Sequence, residues 1–137
     1  MNQSYRNSIV FSLVLLFLFV GGTVAVQRQF TSKSAGATDF YPRWKGTQLF
    51  WSEGVDPYSQ AATEAIQTGI RGRLSDADED QLLFVYPFYT SFLLLPLIGL
   101  DYDWVQAIWM VLLQFGLIGS LFLILRLLEW KMPIWLM

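Results

Sequence analysis

The sequence predicts an all-α, polytopic membrane protein, and three observations carry that prediction. Hydrophobic residues make up 54% of the 137-residue chain and charged residues only 15%, against about 25% charged in ordinary soluble domains. Three long stretches, residues 9–26, 82–100 and 104–125, carry no charge at all. A single long polar segment, residues 27–81, separates the first two and holds short amphipathic patterns at helical spacing.

The first stretch, IVFSLVLLFLFVGGTVAV, has 18 residues, and at 1.5 Å per residue reaches about 27 Å, close to a bilayer core. A cleaved signal peptide is the rival reading, since Thr23-Val24-Ala25 loosely fits a cleavage site, but signal cores are shorter, about 7–15 residues. The second, LLFVYPFYTSFLLLPLIGL, has 19 residues and the reach of a second span. Pro87 falls near its start and Pro96 near its end, where neighbouring membrane helices can compensate for a lost backbone bond. The third contains Gln114 at mid-span, expected to face another helix rather than lipid. Gly116 and Gly119 either let a neighbour approach closely or are incidental. After the polar patch Arg126 to Lys131, residues 132–137 open a further apolar run, which reads as the truncated start of a fourth span. Residues 1–137 are thus expected to be the N-terminal fragment of one longer membrane domain.

Within residues 27–81, Phe40, Trp44, Thr47 and Trp51 recur at helical spacing, with Pro42 in the first turn and Gly54 as a stop. This predicts an amphipathic helix lying on the membrane with its aromatics at headgroup depth. Asp56-Pro57 reads as an N-cap and first helical position. Ala62, Ala65, Ile66, Gly69 and Ile70 then mark a second short amphipathic helix. Residues 71–81 read as an exposed loop.

The chain has no cysteine and no histidine. Thiolate and imidazole metal sites, cysteine nucleophiles and His-based triads are therefore excluded, and acid–base work falls to Asp, Glu, Lys, Tyr or water. A net charge of −2 gives no electrostatic footprint for nucleic acid. Asp39 is the most informative carboxylate. It precedes the aromatic helix, where it can act as a general base on an acceptor hydroxyl or simply cap the helix. The acids at 76–80 resemble half of an EF-hand loop, but Gln81 stands where Gly is needed and Pro87 where the bidentate Glu is needed. A solvated charge run is the better reading there. Arg43 and Lys45 can bind a phosphate or simply sit in solvent or among headgroups.

The order Thr38-Asp39-Phe40-Tyr41, an aromatic helix, Glu53-Gly54-Val55-Asp56-Pro57-Tyr58, then Phe84-Val85-Tyr86-Pro87 and Leu95-Pro96-Leu97 resembles the N-terminal part of glycosyltransferase family 87, in the GT-C superfamily of membrane glycosyltransferases. The resemblance covers about residues 8–130; one departure is Phe88, where the family often has a second proline. It implies inverting transfer of a hexose or pentose from a polyprenyl-phosphate donor to a lipid or glycan hydroxyl at the outer face of the membrane. It implies Asp39 as the catalytic base. A departing phosphate also calls for cations, for which Arg43 and Lys45 are the candidates, and these two with Tyr41 are the expected substrate-binding residues. No metal site and no cofactor beyond the donor are expected, with metal dependence left open, and the fragment is not expected to be active alone. The expected partners are the bilayer, the donor and the acceptor, with no nucleic acid. The resemblance further implies a plasma (inner) membrane location, the N-terminus cytoplasmic and residues 27–81 external. A plain count of Lys and Arg leans the other way: six lie in residues 27–81, though eight acids share that segment. The alternative is a non-enzymatic polytopic protein, a transporter segment or an assembly scaffold. Transport would predict charged or broken helices at mid-membrane, and Gln114 is the most polar group there.

Overall fold

The computed structural model describes residues 2–33 and 39–128. Among them every regular element is helical: α1 (Gln3–Val26), running into a π-helical turn (Gln27–Thr31), α2 (Phe40–Glu53), α3 (Gln60–Arg71), α4 (Thr90–Leu94) with a 3-10 turn (Leu95–Leu97), and α5 (Tyr102–Leu127). The chain divides into two compact units, residues 1–26 with 107–137, and residues 27–106.

In the first unit, α1 from Ile9 onward and the body of α5 are apolar all round, with no single hydrophobic stripe. Two helices in the described chain, those starting at Gln3 and at Tyr102, are long and apolar enough to cross a membrane. Side chains such as Phe17, Leu117 and Phe122 stand well exposed along them. Phe19 meets Phe115 edge to face at 5.7 Å, and a methyl at Gly22 would touch Val111 at 3.7 Å. The contact positions rise on one helix as they fall on the other, so α1 and α5 run antiparallel. Gln114 lines the apolar groove between them, and its side chain is exposed there. Nothing stands within 4 Å of a Cβ placed at Gly116 or Gly119, so among the described residues neither glycine serves a close approach.

The second unit is built around α2. Phe40, Trp44 and Leu49 are buried, and Thr47 completely so. Tyr102, at the head of α5, collects the aromatic end: its ring lies 6.1 Å from Phe40, 4.8 Å from Tyr41 and 5.2 Å from Trp44. This corrects the expectation that the aromatic stripe sits among headgroups, since Phe40 and Trp44 are spent on the unit's own core. Trp51, at the far end, stays exposed. Gly54 ends α2 in the left-handed region at φ 71°, a conformation that favours glycine. α3 buries Ala62 and Ile66 fully, the face its apolar spacing predicts. Its N-cap is Ser59, whose Oγ accepts from the Ala62 N–H at 3.2 Å, and not Asp56. Asp56 instead closes a turn one step earlier, its Oδ1 accepting from the Tyr58 N–H at 3.0 Å.

The expected second span over residues 82–100 is not a continuous helix. From Gln81 to Phe88 the chain makes no regular element, and helix occupies only Thr90–Leu94 and Leu95–Leu97. Pro87 biases Tyr86 away from helical backbone and has no N–H to give. Leu82 enters at φ 51°. Tertiary packing supplies the rest: Phe84 is buried with Ile66 and Leu82 in one cluster, and its ring lies so close to Gly46 that a Cβ there would overlap it. The expected fourth span, residues 132–137, lies outside the described residues.

Candidate functional site

Asp39 stands at the N-cap position of α2 with helical backbone angles, φ −73° and ψ −29°, and its side chain makes no capping hydrogen bond. A cap needs an extended backbone to turn its oxygen onto the first free N–H groups, so the capping role is not exercised. The carboxylate is exposed and, among the described residues, has no hydrogen-bond or ion-pair partner. It opens onto a small cleft of about 160 Å³, shared with Pro42, Asp80, Leu82, Leu83, Val85 and Tyr86.

Tyr86 ties this cleft together. Its hydroxyl donates to the Asp39 carbonyl in a short hydrogen bond. The Arg43 guanidinium carbon lies 3.9 Å from the centre of its ring, a cation–π contact. Its own carbonyl accepts from the Tyr58 hydroxyl at 2.6 Å. Asp39 and Arg43 are one helical turn apart, so both address the same tyrosine. The Arg43 Nε is buried without a hydrogen-bond partner.

Tyr41 and Lys45, also one turn apart, do not share that cleft. About 200° of helix separates positions 39 and 41. They line a separate open groove of about 580 Å³ with Ala61, Glu64, Ala65, Thr68, Gly69 and Leu74. Lys45 Nζ donates to Gln48 Oε1 at 2.9 Å, and Gln48 Nε2 donates to the Ile98 carbonyl at 3.2 Å. The Tyr41 hydroxyl presses on Gly69, and burial raises its pKa. Tyr86 thus links the Asp39 backbone with Arg43, while Tyr41 and Lys45 line another groove, and the four are not brought together.

The acidic run is exposed to solvent at Asp76, Asp78 and Asp80, with Glu79 partly covered. Glu79 receives both Arg73 terminal nitrogens, at 2.7 and 2.9 Å, and the Asp76 N–H at 3.0 Å. The Arg73 hydrogen bonds, followed by the Asp76 N–H, bring its pKa down to about 2. Among the described residues no group of three or more carboxylates is placed to hold a metal ion.

Tyr86, Asp80 and Tyr58 were not foreseen as site residues. The Tyr86-Pro87 string carried a signal, but only the fold brings it to the head of α2 from 47 positions away. Comparison with protein-family models, with curated proteins and with solved structures gives no match for this chain.

Proposed function

We propose that this chain is the N-terminal part of a membrane glycosyltransferase that moves a hexose or pentose from a polyprenyl-phosphate donor to a lipid or glycan hydroxyl at the outer face of the membrane. The observation that carries the reading is the Asp39 carboxylate: exposed, without a capping bond, and opening onto a cleft lined by Tyr86, whose ring carries the Arg43 cation. The resemblance in sequence order supports it independently.

The chemistry asks little of the protein. The acceptor oxygen attacks the anomeric carbon from the face opposite the phosphate, and the bond to the phosphate oxygen breaks. The leaving group takes the electron pair and departs as a charged phosphate, so no general acid is required. Asp39 takes the acceptor proton. One displacement inverts the anomeric configuration. Arg43, held on the Tyr86 ring that lines this cleft, would face the charge growing on the phosphate. Lys45 and Tyr41, on the other side of α2, would contact more distant parts of a substrate.

The test replaces Asp39 with Asn in the full-length protein in native membranes and follows transfer from a labelled polyprenyl-phosphate sugar pool. Asn keeps the shape and cannot serve as a base. Loss of transfer at unchanged protein level supports the reading. Retained transfer moves the base elsewhere, and a wild type inactive with every donor favours the non-enzymatic alternative.

A further inference from the structure

The apolar residues 82–100 and the direction of α5 point to a membrane topology different from that implied by three spans. Three successive crossings would make the first and third run parallel. α1 and α5 run antiparallel, with Phe19 against Phe115 and Gly22 toward Val111. Val26 and Ala107 therefore lie at the same end of the pair, and the chain between them leaves and returns on one side.

Residues 82–100 also lack the means to cross. Their helical part, Thr90–Leu94 and Leu95–Leu97, extends about 13 Å, against about 30 Å of hydrocarbon. The non-helical residues before it would leave backbone groups unpaired in lipid. Yet this stretch holds no charge and exposes large apolar groups: Tyr89 at 68%, Phe92 at 55% and Leu93 at 62%. The exposed Trp51 joins them, its ring 5.6 Å from Phe92, and Phe88 bridges Phe50 and Phe92 at 4.7 and 5.9 Å. A cluster of Trp, Tyr and Phe rimmed by aliphatic side chains suits the interface of a bilayer.

We propose that residues 88–100 form a shallow wedge that enters and leaves the bilayer on one face. The described chain then crosses only with α1 and α5, and all of residues 27–106 belong to one side. The wedge partner is membrane lipid. This inference does not rest on the glycosyltransferase reading and holds whether or not Asp39 is a base.

Residues 1–137 hold no cysteine, so once cysteines elsewhere in the full-length protein are replaced by Ser, each label reports one chosen position. Single variants Ser4→Cys, Ser75→Cys and Asp101→Cys in the full-length protein are labelled with a membrane-impermeant maleimide, before and after the membrane is opened. A Leu93→Cys variant carries an environment-sensitive fluorophore and is reconstituted into phosphatidylcholine–phosphatidylglycerol vesicles with nitroxide groups near the headgroup. The expected result is that Asp101→Cys labels from the side of Ser75→Cys, opposite Ser4→Cys, and that the Leu93 probe is quenched at least twofold while a probe at Ser75 is not. Labelling of Asp101→Cys from the side of Ser4→Cys would show that residues 82–100 cross and would overturn the proposal. So would an unquenched Leu93 probe, which would place the cluster away from lipid.

Discussion

The Arg43 guanidinium carbon lies 3.9 Å from the centre of the Tyr86 ring, and the same tyrosine donates its hydroxyl to the carbonyl of Asp39. One side chain from a segment far along the sequence thereby engages both Asp39 and Arg43 on the first turns of α2. Replacing Tyr86 with Phe removes the hydrogen bond and keeps the ring, at an expected cost of about 1 kcal/mol. Replacing it with Leu also loses the cation–π contact, a further loss of about 0.5–1 kcal/mol. Thermal unfolding in mild detergent should rank wild type above Tyr86→Phe above Tyr86→Leu; equal midpoints for the two variants would deny the ring contact any weight.

Gly46 is one point where α2 and the segment after Gln81 touch, and the Phe84 ring occupies the space a Cβ would take, with two further ring atoms 3.1 and 3.2 Å from it. Gly46→Ala should therefore destabilise by about 1–3 kcal/mol through overpacking, despite the better helix propensity of Ala. Adding Phe84→Leu should return part of that loss. A double-mutant cycle measures the coupling, and strict additivity would count against the contact.

Fold and site were legible in the sequence to different degrees. Local signals held: Gly54 ends α2 in the left-handed region, and Ala62 and Ile66 form the buried face of α3. What failed depended on distant partners. The aromatic stripe of α2 is equally suited to headgroups or to a core, and only Tyr102 decides it. Residues 82–100 match a span by hydropathy, while Pro87 and the seating of Phe84 on Gly46 override that pattern. Asp39 was singled out from its position, but its link through Tyr86 to Arg43 has no local signature.

The start of α3 offers a clean test of one such correction. Ser59→Ala removes the oxygen that accepts from Ala62 N–H and should cost about 1 kcal/mol. Asp56→Ala loses only the turn bond to Tyr58 N–H and should cost less. Unfolding midpoints in the reverse order would restore Asp56 as the cap.

The carboxyl of Glu79, brought down to about 2 by Arg73 and the Asp76 N–H, ties the loop after α3 to pH. A depressed folded-state pKa stabilises above the ordinary glutamate range, and the contribution disappears as pH falls from about 4.5 toward 2. Both partners are partly exposed, so salt should weaken the effect. Limited proteolysis of residues 71–81 should accelerate over this window in wild type. Glu79→Gln should cleave faster at neutral pH and lose the acid dependence; an unchanged acid response would assign it to another group.

That same clip has a practical side. Arg71 and Arg73 close the loop on Glu79 at its base, while Ala77 and Asp78 stand exposed at its tip. Lengthening such a loop costs only about 0.6 kcal/mol per doubling. The peptide bond between Ala77 and Asp78 is thus the natural place to graft an epitope tag or a small reporter domain, giving a handle on this protein that leaves α2, Tyr86 and both apolar helices untouched.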